Sequence, residues 1–211
     1  MENFKLSHQK PSKASEYIAY KITQILKFML NIFYGTKYAK RAVILETIAA
    51  VPGMVAGMLN HLKALRRMRD DQGWIRELLD EAENERMHLM IFLDIAKPSR
   101  IERILVLLGQ GAFLVVYSLL YIISSKTAHR VVGYFEEEAC KSYSEYLDKI
   151  DQGEVENTAA PSIAISYYQL DSDAKLRDVI LCIRNDEAAH RDRNHQFADS
   201  FESGDLPEHQ K

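Results

Sequence analysis

Two short motifs carry the metal chemistry in this chain. Glu85 and His88 stand three residues apart in Glu81-Ala82-Glu83-Asn84-Glu85-Arg86-Met87-His88, and Glu187 and His190 repeat the spacing in Glu187-Ala188-Ala189-His190. On a helix, residues three apart share a face, so each pair can hold one ion jointly. Two such pairs, with one glutamate from each of two further helices, are the ligand set of carboxylate-bridged di-iron bundles. Glu46, alone in an apolar run, and Glu136, first of three consecutive acids, supply the two further glutamates. Carboxylate oxygens bridge two ions and tolerate changes in their charge, while imidazole nitrogens complete each shell, which suits iron or manganese. Zinc sites use fewer carboxylates and often thiolate, and neither Cys140 nor Cys182 lies near a second ligand motif. A single Glu-x-x-His reads most simply as helix-surface charge; two copies with Glu46 and Glu136 point to metal.

The neighbouring polar residues are expected to play other parts. Glu81 and Glu83 read as partly solvated, and Asn84 and Asp186 as hydrogen-bonding neighbours of the ligands. Glu136, Glu137 and Glu138 are consecutive, so they cannot all face inward. Tyr143 lies seven residues after Glu136 and shares its face. A tyrosine beside such a centre can supply an electron and a proton during oxygen cleavage, although from spacing alone ordinary core packing is the simpler explanation.

Positioning these groups requires an all-α chain. Helical periodicity predicts helices over about 15–34, 38–69, 74–96, 99–124 and 127–150, a short one over 162–170, and a last one from an Asp171/Ser172 cap to about Phe201. Pro52-Gly53 should kink or loosen the second helix. No strand alternation appears. Residues 1–14 read as a flexible tail, 15–203 as one helical domain and 204–211 as a polar tail.

The chain has 211 residues, 47% of them hydrophobic, which is enough for one domain with a substantial core. Its 27 basic and 30 acidic residues give no nucleic-acid footprint. Two cysteines inside helical patterns are too few for a disulfide framework and read as reduced packing residues. The N-terminal stretch has no apolar signal core and little arginine, so the chain reads as intracellular as made or as trimmed from a longer precursor.

Two helices read as over-apolar for a soluble bundle, the alternative being that the fourth is the fully buried central helix of one. Ile104–Ile123 is 20 residues without a charge, by length a membrane-spanning candidate. If it spanned a bilayer, Glu85 and His88 would lie on the opposite side from Glu136, Glu187 and His190. A shared metal site therefore requires this helix to lie in the membrane interface beside the first helix. Basic residues flank both: Lys21, Lys27, Lys37, Lys40 and Arg41 near the first, Lys97, Arg100, Arg103, Lys126 and Arg130 around the fourth.

Taken together, the blocks Arg41–Leu62, Gly73–Phe92, His129–Tyr143 and Arg184–Phe201 resemble the alternative oxidase family, in order and over roughly residues 15–203. The resemblance implies a cyanide-insensitive ubiquinol oxidase that oxidises two quinols and reduces O2 to water without pumping protons. Its fold would be a ferritin-like four-helix di-iron bundle, with two additional amphipathic or apolar helices binding one membrane leaflet, in a homodimer. Carried over by position, the ligands of two iron ions are Glu46, Glu85, His88, Glu136, Glu187 and His190, and Tyr143 is the redox-active tyrosine. Arg41, Leu45, Phe135, Glu138, Ala139 and Ser142 match the quinol pocket. Asn84, His129, Tyr168 and Asp186 match the hydrogen-bond network around the site. Two departures stand out. The family's Arg-x-x-x-Asp pair in the first helix is Lys27 and Asn31 here, and its usual tryptophan before the last helix is Tyr168. The short first linker and the lack of a plant-type extension suggest a bacterial member at the cytoplasmic face of the inner membrane, the alternative being the matrix side of the mitochondrial inner membrane. Rival readings are a quinone-modifying di-iron monooxygenase and a ferritin-like iron protein.

Overall fold

The computed structural model describes residues 6–35 and 37–210, and within the first helix the side chains of residues 29, 30, 33 and 34 lie outside the description. The described residues form seven helices: α1 (Ala14–Tyr34), α2 (Tyr38–Arg67), α3 (Trp74–Ala96), α4 (Arg100–Ile123), α5 (Ser125–Asp151), α6 (Ser162–Tyr168) and α7 (Leu176–Ser203). No strand forms among them beyond one isolated bridge, Ala159 to Lys175. The fold is thus all-α, as the periodicity predicts.

Local chemistry sets the boundaries. Ser99 and Glu102 form a capping box at the start of α4: Ser99 Oγ accepts from the Glu102 N–H at 3.3 Å, and the Glu102 carboxylate accepts from the Ser99 N–H at 2.7 Å. Only Ser124 separates α4 from α5, and its hydroxyl accepts from the Thr127 N–H at 3.2 Å. Lys97 ends α3 in the left-handed region, φ 44°, just before Pro98. The last helix starts four residues later than a cap at Asp171 suggests. Residues 171–175 instead make a turn and the bridge, and the Asp178 carboxylate accepts from the Lys175 N–H at 2.9 Å, so the cap lies at Lys175.

Two helix pairs build the bundle, α2 with α3 and α5 with α7, and α6 bridges α3 to α7. Helix α2 continues through Pro52. Gly53 and Gly57 follow, and a Cβ at Gly53 would collide with the Leu78 carbonyl oxygen, so the missing side chain lets α3 approach closely. One apolar cluster packs Phe92, Tyr143, Leu147, Leu176 and Ile180 at one end, and another packs Val51, Val55, Leu78, Tyr117 and Phe197 at the other.

Helices α1 and α4 pack on the outside of this bundle, α1 against α5 and α4 against α2 and α5. Both α2 and α4 are long and apolar enough to cross a membrane, but more than half of the apolar window of α2 is buried in the bundle, whereas only 11% of that of α4 is. Helix α4 presents Ile104, Leu107, Leu108, Val115, Val116 and Ile122 outward, and α1 presents Tyr17, Ile18, Ile25, Phe28 and Ile32. Both cysteines are free, Cys140 buried and Cys182 half-buried. The polar stretch after α7 folds back, burying His209 against Asn60, whose Oδ1 lies 3.1 Å from His209 Nε2.

Candidate metal centre

Glu46 on α2, Glu85 and His88 on α3 and Glu187 on α7 meet inside the bundle. Each is buried, and each brings a ligand atom within 4.8 Å of the others. The Nδ1 atom of His88 faces Glu187 Oε1 at 3.2 Å, Glu46 Oε2 at 3.3 Å and Glu85 Oε2 at 3.6 Å. His190 Nδ1 lies 2.6 Å from Glu85 Oε1, and Glu136 is buried beside Glu187. Four of the six candidate residues thus form one buried group, with His190 against Glu85 and Glu136 against Glu187. The helix period explains this: each Glu-x-x-His pair turns one stripe inward, and Glu46 and Glu136 come from the helices opposite.

Electrostatics makes the arrangement costly for protein alone. Burial, followed by the charges of Glu187 and Glu85, pushes the Glu46 and Glu136 carboxyls well above the usual range. Burial opposes ionisation of Glu85 too, but His190 and His88 hold its carboxyl low. Burial alone would lower the His190 imidazole, yet Glu85 and its neighbours push it up to about 9. Glu46 Oε2, both oxygens of Glu85 and of Glu187, and Nδ1 of both His88 and His190 are buried and have no hydrogen-bond partner in the protein. Buried polar atoms are normally satisfied. Seven converging donors without partners fit a cation of charge two or more, and the carboxylate-rich set matches hard metal ions.

A hydrogen-bond network backs the ligands. His88 Nε2 lies 3.1 Å from Asp186 Oδ2, which also accepts from Tyr168 Oη at 2.7 Å and from Asn84 Nδ2 at 3.1 Å. Asn84 also reaches Tyr167 Oη at 2.8 Å. Tyr143 donates its hydroxyl to Glu46 and stacks on Phe92, with ring centroids 5.8 Å apart. His129 is wholly buried further along, between Asn194 at 3.0 Å and Tyr121 at 3.2 Å.

A cavity of about 390 Å³ opens beside the cluster. Glu46, Glu136 and Glu187 line one part; Arg41, Leu45, Phe135, Glu138, Ala139 and Lys27 line the rest, with Leu26, Ile44, Ile48 and Leu105. Arg41 is buried, and its Nε has no hydrogen-bond partner. Lys27 and Lys141 pair with Glu138 at 2.5 and 2.8 Å. Two residues predicted for this pocket lie elsewhere: Ser142 is buried on α5 and Asn31 is exposed on α1, and neither lines the cavity.

One acid departs from its sequence-based reading, and a second, Glu137, has none of its own. Glu81 is buried, not partly solvated, because Asn194 Nδ2 donates to both its oxygens at 2.9 Å. Glu137 is buried along with Glu136, the two pointing to different sides of α5. It lies 3.0 Å from His195 Nε2 and 2.5 Å from His8 Nδ1, and accepts from the Gln9 N–H at 2.8 Å. The one local signal was Asn194 and His195, a turn beyond the second motif on α7.

The chain matches the alternative oxidase family over residues 1–199. It is 54% identical over 192 residues to "Ubiquinol oxidase, mitochondrial" of Batrachochytrium dendrobatidis, covering 91% of this chain and 61% of that protein. It is 52% identical over 197 residues to "Ubiquinol oxidase 1c, mitochondrial" of Arabidopsis thaliana, covering 93% of this chain and 60% of that one. The chain thus spans about three-fifths of the length of the curated relatives it matches. With the family matched along nearly all of its sequence, and a buried glutamate–histidine cluster at the centre of its bundle, the chain belongs to the alternative oxidase family.

Proposed function

We propose that this chain is a cyanide-insensitive ubiquinol oxidase, oxidising two quinols and reducing one O2 to two waters at a di-iron centre on one membrane leaflet, without pumping protons. The observation that carries this reading is the cavity whose wall is shared by Glu46, Glu136 and Glu187 and by the buried Arg41. Two quinols release four electrons and four protons, and O2 takes up the same numbers, so the reaction balances.

Glu46, Glu85, His88, Glu136, Glu187 and His190 would hold two iron ions, which supply the oxygen binding and electron storage that side chains lack. The residues do the rest. Arg41 offers a guanidinium donor to a quinol oxygen, and Lys27 and Glu138 offer a second polar contact across the cavity. Leu45, Phe135 and Ala139 form apolar walls that exclude water from the ring. Burial and the neighbouring Glu46 keep the Tyr143 phenol protonated, so it holds a hydrogen at its oxygen beside Glu46. Asp186, supported by Tyr168 and Asn84, orients His88.

The exposed apolar faces of α1 and α4 support seating in one leaflet, and the topology of the cluster supports an in-plane α4. The mitochondrial location printed for the relatives favours the mitochondrial inner membrane over a bacterial one, and we infer a homodimer as in the family. Glu85→Ala and His88→Ala should each lose bound iron, wholly or in part, and abolish quinol-dependent oxygen uptake. Full iron with normal uptake in either variant would sink the assignment.

A further inference from the structure

We propose that the two metal positions are unequal and fill in order, the position held by Glu46 and His88 binding its ion first and more tightly than the one held by Glu136 and His190. The inference rests on the di-metal reading above and goes beyond it. Glu85 and Glu187 face both histidines and would serve both positions, so any difference would come from the residues that are not shared.

The first difference is convergence. Glu46 and His88 close with the shared pair into a complete four-ligand group, all donors within 4.8 Å of one another. Among the described residues, Glu136 and His190 form no such group with the same pair. His190 Nδ1 is near Glu85 Oε1, at 2.6 Å, but 4.0 Å from Glu187 Oε2, whereas His88 Nδ1 is within 3.6 Å of three carboxylates. The position of Glu46 and His88 is therefore the more closely converged of the two.

The second difference lies behind the histidines. His88 Nε2 has Asp186, and Tyr168 and Asn84 both donate to the same Asp186 oxygen. The ring is thereby fixed with its hydrogen on Nε2 and its lone pair on Nδ1, facing the ligands. Among the described residues, His190 has ion-pair contacts with Glu85 and Glu187 alone, both at Nδ1. The next acid, Glu81, is held by Asn194. The His190 side chain also keeps 12% exposure where that of His88 has none. A ligand already oriented loses less freedom on binding, and a carboxylate behind a ligating histidine changes metal affinity by about 10–100-fold.

The test is a Mn(II) titration of the full chain, stripped of metal by a chelator, followed by calorimetry and electron paramagnetic resonance. The expected result is two steps separated by about 10–100-fold in Kd, a mononuclear signal forming first and a coupled pair second. His190→Ala keeps the tight step and His88→Ala loses it. The milder Asp186→Asn weakens the tight step by about tenfold or more while leaving the weak one within a few-fold. Loading of both ions in one step with no mononuclear stage, or an unchanged tight step in Asp186→Asn, would overturn the ordering and leave the di-metal reading standing. Absence of Mn(II) binding to the unsubstituted chain would overturn both.

Discussion

Tyr143 is the residue whose chemistry depends most on its surroundings. Its hydroxyl meets Glu46, one of the cluster acids, and its ring lies flat on Phe92. Removing only the oxygen leaves that packing intact. Tyr143→Phe is therefore expected to keep its iron and its melting temperature within a few degrees while losing about tenfold or more of its turnover, read by metal analysis beside an oxygen electrode. His129 makes a separate claim about pH. Burial lowers its pKa to about 4, only partly offset by Asn194, so the folded protein holds it neutral where the unfolded chain, near 6.5, takes up a proton. Stability from this group is complete above pH 6.5 and is lost as pH falls towards 4, in all about 3 kcal/mol. His129→Gln should flatten that part of the stability–pH curve, measured by denaturant unfolding from pH 7 to 4. The two glutamate–histidine pairs of the cluster were legible in the sequence because a three-residue spacing maps directly onto one helix face. Glu81 and Glu137 were not, because what buries an acid is a partner supplied from α7 more than 50 residues away, Asn194 in one case and His195 in the other.

At the scale of elements, the outer face of α4 and the α2–α3 contact each offer a test. The exposed apolar side of α4 gives the membrane reading a direct handle. Leu108→Glu and Val116→Glu replace side chains that are 65% and 64% exposed, so the fold should tolerate them. Each removes the membrane burial of one large apolar group, about 1.5–3 kcal/mol, and the pair should weaken partition to anionic vesicles by more than tenfold. Co-sedimentation reads this out, and unchanged partition would remove α4 from the membrane surface. Gly53→Ala tests the other contact. Alanine gains about 1 kcal/mol of helix propensity, but its Cβ meets the backbone oxygen of Leu78, which has no rotamer by which to move away, and overpacking costs about 1–3 kcal/mol. The net expectation is a lower melting temperature, while Gly111→Ala, whose Cβ would meet open space, should be neutral or stabilising. Most helix limits were legible from apolar period and caps. The start of α7 was not, because Asp171 and Ser172 look like a cap locally, whereas the pairing of 158–160 with 174–176 holds the chain extended until Leu176.

For the whole molecule, the geometry joins three things: a cluster of acids and histidines, a largely apolar cavity against it, and an apolar outer surface on α1 and α4. Residues on both sides of α4 meet at one point, which supports the in-plane α4 proposed above. That much could be read from sequence. The cavity could not, because its wall draws on α1, α2, α4, α5 and α7 at once, and no periodicity in one segment reports on such a space. The central claim is that electrons pass from quinol to O2 here and go fully to water. The most direct measurement is the stoichiometry of the membrane-bound chain supplied with ubiquinol alone, with quinone formed and O2 consumed followed together in the presence of cyanide. The expected result is two quinones per O2, no accumulated peroxide and no loss of rate to cyanide. Oxygen uptake that requires an added reductase and leaves an oxygen atom in the quinone ring would contradict it.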